Sequence, residues 1–241
     1  MARKGERKNK KVYSTRKAMR VIRNKPKLVT KASAGAHPIS ESMPLTIVLR
    51  DLMRIAKTAR EAKIILNEGR VKVDGRKAKD PRMPIGFMDV ISFPSISKHY
   101  RMLYNKKGQL TLNEMDKPGF KLCRIQNKTI TKEGIQLNLH DSRNIIVKKD
   151  EYKTGGTIKL AIPEQKIKDY YPMTTGNIAY ITGGQHAGEV AVIQKSIEGT
   201  QNRKPLLVMK GKNKEFQTIR EYAFILGTKE PTIKLKEEDT P

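Results

Sequence analysis

Tryptophan is absent from this 241-residue chain, aromatic residues make up only 5% of it, and cysteine occurs once. So few large aromatic side chains leave little to line a deep pocket, which argues against an enzyme acting on a small-molecule substrate. The single Cys123 cannot form an intramolecular disulfide and cannot supply a cysteine quartet for zinc; its solitude favours a reducing compartment. Apolar runs are short. Ile64-Ile65-Leu66 falls far below the roughly 18 apolar residues of a membrane span, and no signal-peptide apolar region opens the chain. The expectation is a cytoplasmic protein with no membrane contact.

Acidic residues are the scarcest charged class: 24 Asp plus Glu stand against 50 Lys plus Arg, a formal net charge of +26. Such an excess repels itself and is sustained most easily beside a polyanion whose counterions it displaces, so nucleic acid is the first candidate partner. At 37% hydrophobic residues, the chain still has material for two or three small cores.

Catalytic and cofactor motifs are missing as well. Gly183 and Gly184 lead to Gly188-Glu189 and not to a Lys-Ser/Thr pair, so there is no phosphate loop for nucleotide hydrolysis. His37, His99, His140 and His186 are scattered without metal-ligand spacing. His140-Asp141-Ser142 are neighbours in sequence, but adjacent strand positions point to opposite faces and cannot form a relay unaided. No catalytic residue, metal or cofactor is expected.

The positive charge is unevenly spread. Residues 1–42 carry 13 basic and 2 acidic side chains, 43–100 carry 12 and 6, 101–171 carry 15 and 8, and 172–241 carry 10 and 8. The front of the chain, with Arg3, Lys4, Arg7, Lys8, Lys10, Lys11, Arg16 and Lys17, reads as an arm that stays extended alone and orders when phosphates neutralise it. A solubilising tail or a nuclear address would share this composition.

Beyond the arm, Leu45, Leu49, Leu52 and Met53 at helical spacing predict a first helix from about Pro44 to Arg54. Thr58-Ala59-Arg60-Glu61 matches a capping box that opens a second helix, which Gly69 ends. Its buried stripe should be Ala59, Ala62, Ile65 and Leu66, which turns Arg60, Lys63 and Asn67 outward. Val71 and Val73 then alternate with Arg70 and Lys72 as in a strand, and Asp74-Gly75 supplies a tight turn. Two short helices and a hairpin would thus present Arg50, Arg54, Lys57, Arg60, Lys63, Arg70, Lys72, Arg76 and Lys77, with the amides near Thr58 adding a helix N-terminus. Arginine forks and mobile lysines at such a surface suit a phosphate backbone; a merely solvated basic face would look the same in sequence.

These residues carry a resemblance. Pro44-Leu45-Thr46, Asn67-Glu68-Gly69-Arg70-Val71-Lys72-Val73-Asp74-Gly75 and Gly86-Phe87-Met88-Asp89-Val90-Ile91 resemble the S4 RNA-binding domain. Together with Ala34-Gly35-Ala36-His37-Pro38, Gly134-Ile135, His140-Asp141-Ser142-Arg143, Thr175-Gly176-Asn177 and Thr182-Gly183-Gly184, they resemble the S4e family of archaeal and eukaryotic small-subunit ribosomal proteins, in its archaeal form, over nearly the whole chain. The resemblance implies a structural constituent of the small ribosomal subunit that binds and stabilises small-subunit rRNA beside neighbouring ribosomal proteins, acts in translation, and has no catalysis and no small-molecule substrate.

Short alternating runs at Lys121–Ile125, Ile135–Leu139 and Thr157–Ile162 predict a central β-rich domain. Further on, Ile178–Thr182 and Val190–Ile193 read as strands flanking a loop with Gly183, Gly184, His186 and Gly188, which resembles a KOW motif. Its glycines allow close approach to a partner, but Ala187 and Glu189 stand where many such motifs carry lysine, which weakens the case for phosphate binding there. The expected architecture is α+β and multidomain: a basic extension at 1–42, an S4-type helix pair with a small sheet at 43–100, a β-rich domain at 101–171, and an SH3-like KOW barrel with a tail at 172–241. Two rivals stay open, a KOW-bearing regulator of transcription and the RNA-binding portion of an RNA-modification system; polymerase binding would mark the first, and a positioned catalytic group the second.

Overall fold

A computed structural model describes residues 8–16, 18–21, 27–211, 214–228 and 230–235. Arg3, Lys4, Arg7 and Lys17 of the basic arm lie outside the described residues. The chain groups into two compact units, Met1–Met102 with Gln109–Asp116, and Leu103–Gly108 with Lys117–Pro241. Strands dominate both, and no helix among the described residues is long and apolar enough to cross a membrane.

In the first unit, β1 (Asn9–Lys11) and β2 (Leu28–Thr30) form an antiparallel ribbon in which Lys10 faces Val29. Strand β3 (Met43–Pro44) leads straight into a helix whose first turn, α1 (Leu45–Ile47), widens into a π-helical turn over Val48–Leu52. Pro44 is thus extended, at φ −66° and ψ 139°, and pairs with Pro84; it is the N-cap and not part of the first turn. The helix ends before Arg54, which takes a left-handed φ of 55°. Its burial is not a single stripe. Leu45, Ile47, Val48 and Leu49 are all fully buried, while the expected Leu52 and Met53 are only half-buried, because a helix covered on several sides is apolar on several sides.

Helix α2 (Ala59–Asn67) has the expected cap: the Glu61 amide donates to Thr58 Oγ1 at 3.2 Å, and the Lys57 amide donates to Glu61 Oε2 at 2.8 Å. Gly69 at φ 69° ends it in the left-handed conformation that glycine adopts without a side-chain clash. Ala62 and Leu66 are buried and Ile65 half-buried; Ala59, expected inside, is exposed because it sits on the first helical position.

Next come β4 (Lys72–Val73) and β5 (Arg76–Lys77), joined through Asp74 (φ 48°) and Gly75 (φ 79°), the paired positive angles of a tight hairpin turn. They form one edge of an antiparallel sheet ordered β5-β4-β7-β8-β9, with β7 (Val90–Phe93), β8 (Lys98–Tyr104) and β9 (Leu110–Met115), while β6 (Pro84–Ile85) pairs with β3. Two segments that stood out in sequence meet here. His37 Nε2 lies 2.9 Å from Asp89 Oδ1, both side chains are almost fully buried, and Asp89 Oδ2 accepts the Gly86 amide at 2.8 Å. A Cβ on Gly86 would lie 2.4 Å from the His37 ring, and one on Gly35 would lie 2.7 Å from Pro84, so both glycines are required by close approach.

In the second unit, β10 (Phe120–Thr131), β11 (Gly134–Leu139), β12 (Asn144–Val147), β13 (Thr157–Ala161) and β14 (Ile167–Tyr171) make an antiparallel sheet ordered β12-β11-β10-β13-β14. Its inner face buries Cys123, Ile125, Leu137, Leu139, Ile158 and Leu160. A second antiparallel sheet, ordered β18-β17-β16-β15-β19, contains β15 (Ile178–Ile181), β16 (Val190–Ile197), β17 (Leu206–Lys210), β18 (Glu215–Ile219) and β19 (Ala223–Gly227). It encloses its own core of Ala179, Ile181, Ala191, Ile193, Leu207, Met209, Ala223 and Ile225.

Gly86→Ala is expected to destabilise the protein by about 1–3 kcal/mol, the usual consequence of forcing a methyl into a filled interior. Urea unfolding beside Gly119→Ala, whose added Cβ meets nothing within 4 Å, checks this; equal midpoints for the two variants would contradict it.

Candidate nucleic-acid interface

The capped N-terminus of α2, the left-handed Arg54 before it and the β4–β5 hairpin present cations that are not equivalent. Arg54, Lys57, Arg60, Lys63, Arg76 and Lys77 are exposed, and none has an ion-pair partner among the described residues. Lys72 is half-buried and sits directly opposite Lys77 across the hairpin. Like charges facing each other on adjacent strands destabilise the pairing, and an external anion relieves that repulsion.

Two arginines predicted for this face are already engaged. Arg50 donates from Nε and Nη2 to both oxygens of Asp51, at 2.7 and 2.9 Å, and its side chain is only 27% exposed. That fork, which could have gripped a phosphate, is closed by a carboxylate. Arg70 pairs with Glu68 at 2.6 Å, but both groups are well exposed, so solvent weakens the pair. The amides expected to be open near Thr58 are also partly taken, since the cap uses those of Lys57 and Glu61. On the ribbon, Lys8, Lys11 and Arg16 are exposed and Lys10 is half-buried. Lys31, not anticipated from sequence, joins them because its amide donates to Lys8 O at 2.9 Å; locating it required knowing that β2 folds back on β1.

The glycine loop between β15 and β16 turns toward its own unit. A Cβ on Gly188 would lie 2.4 Å from the Asn105 carbonyl carbon, and one on Gly183 would lie 3.0 Å from the Tyr222 ring. The close approach that glycine permits is thus made to this chain's own backbone and side chains. His186 stacks on Phe216 with ring centroids 4.0 Å apart and has Nδ1 3.1 Å from Glu189 Oε2, so the loop carries a carboxylate beside its histidine.

His140, Asp141 and Ser142 occupy a turn after β11 and not a strand. His140 Nδ1 accepts the Arg124 amide at 3.2 Å, Asp141 is buried, and Ser142 is exposed at φ 58°. Asp141 Oδ2 instead meets the fully buried Lys121 Nζ at 3.0 Å and Arg143 Nε at 3.2 Å. Donor atoms of Cys123, His140 and Asp141 lie within 4.8 Å of one another, a spacing that suits a metal ion. With two cations already on the carboxylate, a metal would have to displace Lys121 or Arg143, so this donor set reads as a buried ion pair.

With this geometry in view, the likeness to known proteins is specific. Residues 43–91 match the S4 domain, and residues 96–167 match the ribosomal family S4e. The small ribosomal subunit protein eS4 of Methanocaldococcus jannaschii is 42% identical over 98% of this chain and 100% of its own length; that of Methanococcus aeolicus is 44% identical over the same shares. The crystal structure of the 30S ribosomal protein S4e from Thermoplasma acidophilum superposes with a TM-score of 0.68 at 34% identity, covering 78% of this chain and 96% of that one. The fold is that of an S4-domain ribosomal protein. The chain belongs to the S4e family. These relatives support neither a transcription regulator nor an RNA-modification component.

Burial works to raise the Asp141 carboxyl, but Lys121, then His140 and Arg143, outweigh it and hold the group below the ordinary aspartate value of 3.8. A carboxylate held low contributes its stabilisation above the ordinary value and loses it as pH falls through the lowered one. Asp141→Asn should therefore cost about 3–5 kcal/mol at neutral pH by urea unfolding. The gap should narrow in strong acid, and a gap independent of pH would show that the carboxylate charge is not the source.

Proposed function

We propose that this chain is a structural constituent of the small ribosomal subunit, that it holds small-subunit rRNA by its folded shape and phosphates, and that it performs no catalysis. The observation that carries the reading is the set of exposed cations Arg54, Lys57, Arg60, Lys63, Arg76 and Lys77, without ion-pair partners among the described residues, on an S4 domain in a chain whose relatives are named small ribosomal subunit proteins. It acts in translation, in the cytoplasm, with rRNA and neighbouring ribosomal proteins as partners. Phosphate contacts of this kind position a protein on RNA without reading bases.

The four-part division into extension, S4-type domain, central β domain and carboxyl-terminal module is part of the same proposal. The last module is read as a KOW-type small barrel. Its closed glycine loop, the Glu189 carboxylate and the small charge excess of residues 172–241 favour rigid placement or protein contact over phosphate binding.

Arg60→Gln with Lys63→Gln, in the full chain on a small-subunit rRNA transcript, should weaken binding and lower the slope of log K against log salt by about 1.5, as expected for two lost phosphate contacts. Unchanged affinity and slope in a folded variant would remove this face from the interface.

A further inference from the structure

A narrow cleft lies where the β1–β2 ribbon meets Thr15, Arg16, Met19 and the Ile39–Ser42 turn. Among the described residues, three basic ones line it, Lys10, Arg16 and Lys31, and no acidic one does. None of the three has an ion-pair partner among the described residues. Gathering three like charges around one small space is unfavourable unless an anion completes it. The hydroxyls sort by role. Thr15 Oγ1 donates to Val12 O at 2.6 Å and Ser42 Oγ donates to Pro38 O at 2.9 Å, so those two hydrogens fix the walls. Thr30 and Ser40 also line the cleft, and their hydroxyls carry no such bond among the described residues.

Size narrows the ligand. The enclosed space is about 10 Å³, room for roughly one oxygen-sized atom. One non-bridging oxygen of a backbone phosphate fits, with the rest of the group at the mouth. Just before the wall formed by Thr15 and Arg16, Tyr13 is 85% exposed on the short turn Val12–Ser14. An aromatic ring left in water between basic residues provides a platform for an unpaired base.

We infer that this cleft is a single-phosphate cup for the RNA backbone, with Tyr13 stacking on an adjacent unpaired base. The inference rests on the rRNA-binding reading and adds a second, sequence-distant site to the S4-domain face. Three cations converging on one phosphate make an unusual demand. Their joint removal strips three charges from the protein, yet the number of phosphates neutralised changes by one.

The test measures binding of the full chain to a small-subunit rRNA transcript across a salt series, with thermal unfolding to confirm that each variant is folded. The triple variant Lys10→Gln, Arg16→Gln, Lys31→Gln should lower the slope of log K against log salt by about 0.7–0.9, the value for one phosphate. Tyr13→Ala should weaken binding roughly tenfold with the slope unchanged. A fall in slope of two or more would mean separate phosphates and overturn the cup, as would no fall at all. Should the triple variant unfold, Lys31→Gln alone replaces it, and undiminished affinity in that variant likewise overturns the cup. A parent protein that fails to bind the transcript overturns the rRNA-binding reading itself, an outcome distinct from a parent that binds and a cup variant that binds equally well.

Discussion

Repulsion among the cations is the constraint that the rest of the structure accommodates. With twice as many basic as acidic residues, each carboxylate is scarce, and the buried ones are used to hold the chain together. Asp89 joins His37 to the Gly86 amide, Asp74 accepts the Val90 amide at 2.9 Å, and Asp141 gathers Lys121 and Arg143. Each of these acids accepts from or pairs with a group whose burial is costly when left unmatched. The cations left over are pushed outward onto Arg54, α2, the β4–β5 hairpin and the β1–β2 ribbon. Fold and binding surface are thus two results of one shortage.

That sorting explains why a count of basic residues overstates the interface. Arg50 and Arg60 look alike in a sequence scan, yet one is closed by Asp51 and the other is open to solvent. The difference lies in one neighbouring carboxylate and in the direction each side chain leaves its helix. Around the cleft the reverse happens: Lys10, Arg16 and Lys31 are separated in sequence, and the ribbon pairing returns Lys31 to the neighbourhood of Lys10.

Local features were therefore the legible ones. The Thr58–Glu61 cap, the Gly69 stop and the Asp74-Gly75 turn each depend on a few adjacent residues, and each could be placed from the chain alone. The first helix was harder because its boundaries answer to distant partners: Pro44 lies opposite Pro84, where the Leu45 amide donates to Met83 O, and Ile47 and Val48 are buried by packing that periodicity does not encode. The packing of the glycine loop after β15 was illegible for the same reason, since nothing near Gly188 in sequence announces that Asn105 lies against it. Membership of the S4e family came from blocks in order along the chain, and the fold supplies a reason for two of them, in which Gly35 and Gly86 make room for Pro84 and His37.

Residues 103–108 group with the second unit although they interrupt the first. Tyr104 O accepts the hydroxyl of Tyr180, 76 residues further on, and Asn105 covers Gly188. The two units are therefore interleaved along the chain. During synthesis, the first cannot be completed until residue 116 has been added, and the 103–108 segment must then wait for β15 and its loop before its backbone is covered. For the same reason no single cut yields both units whole: a break after residue 102 deprives the first of β9, and one after residue 116 deprives the second of its 103–108 segment. The chain is a pair of units that only an uncut molecule can complete.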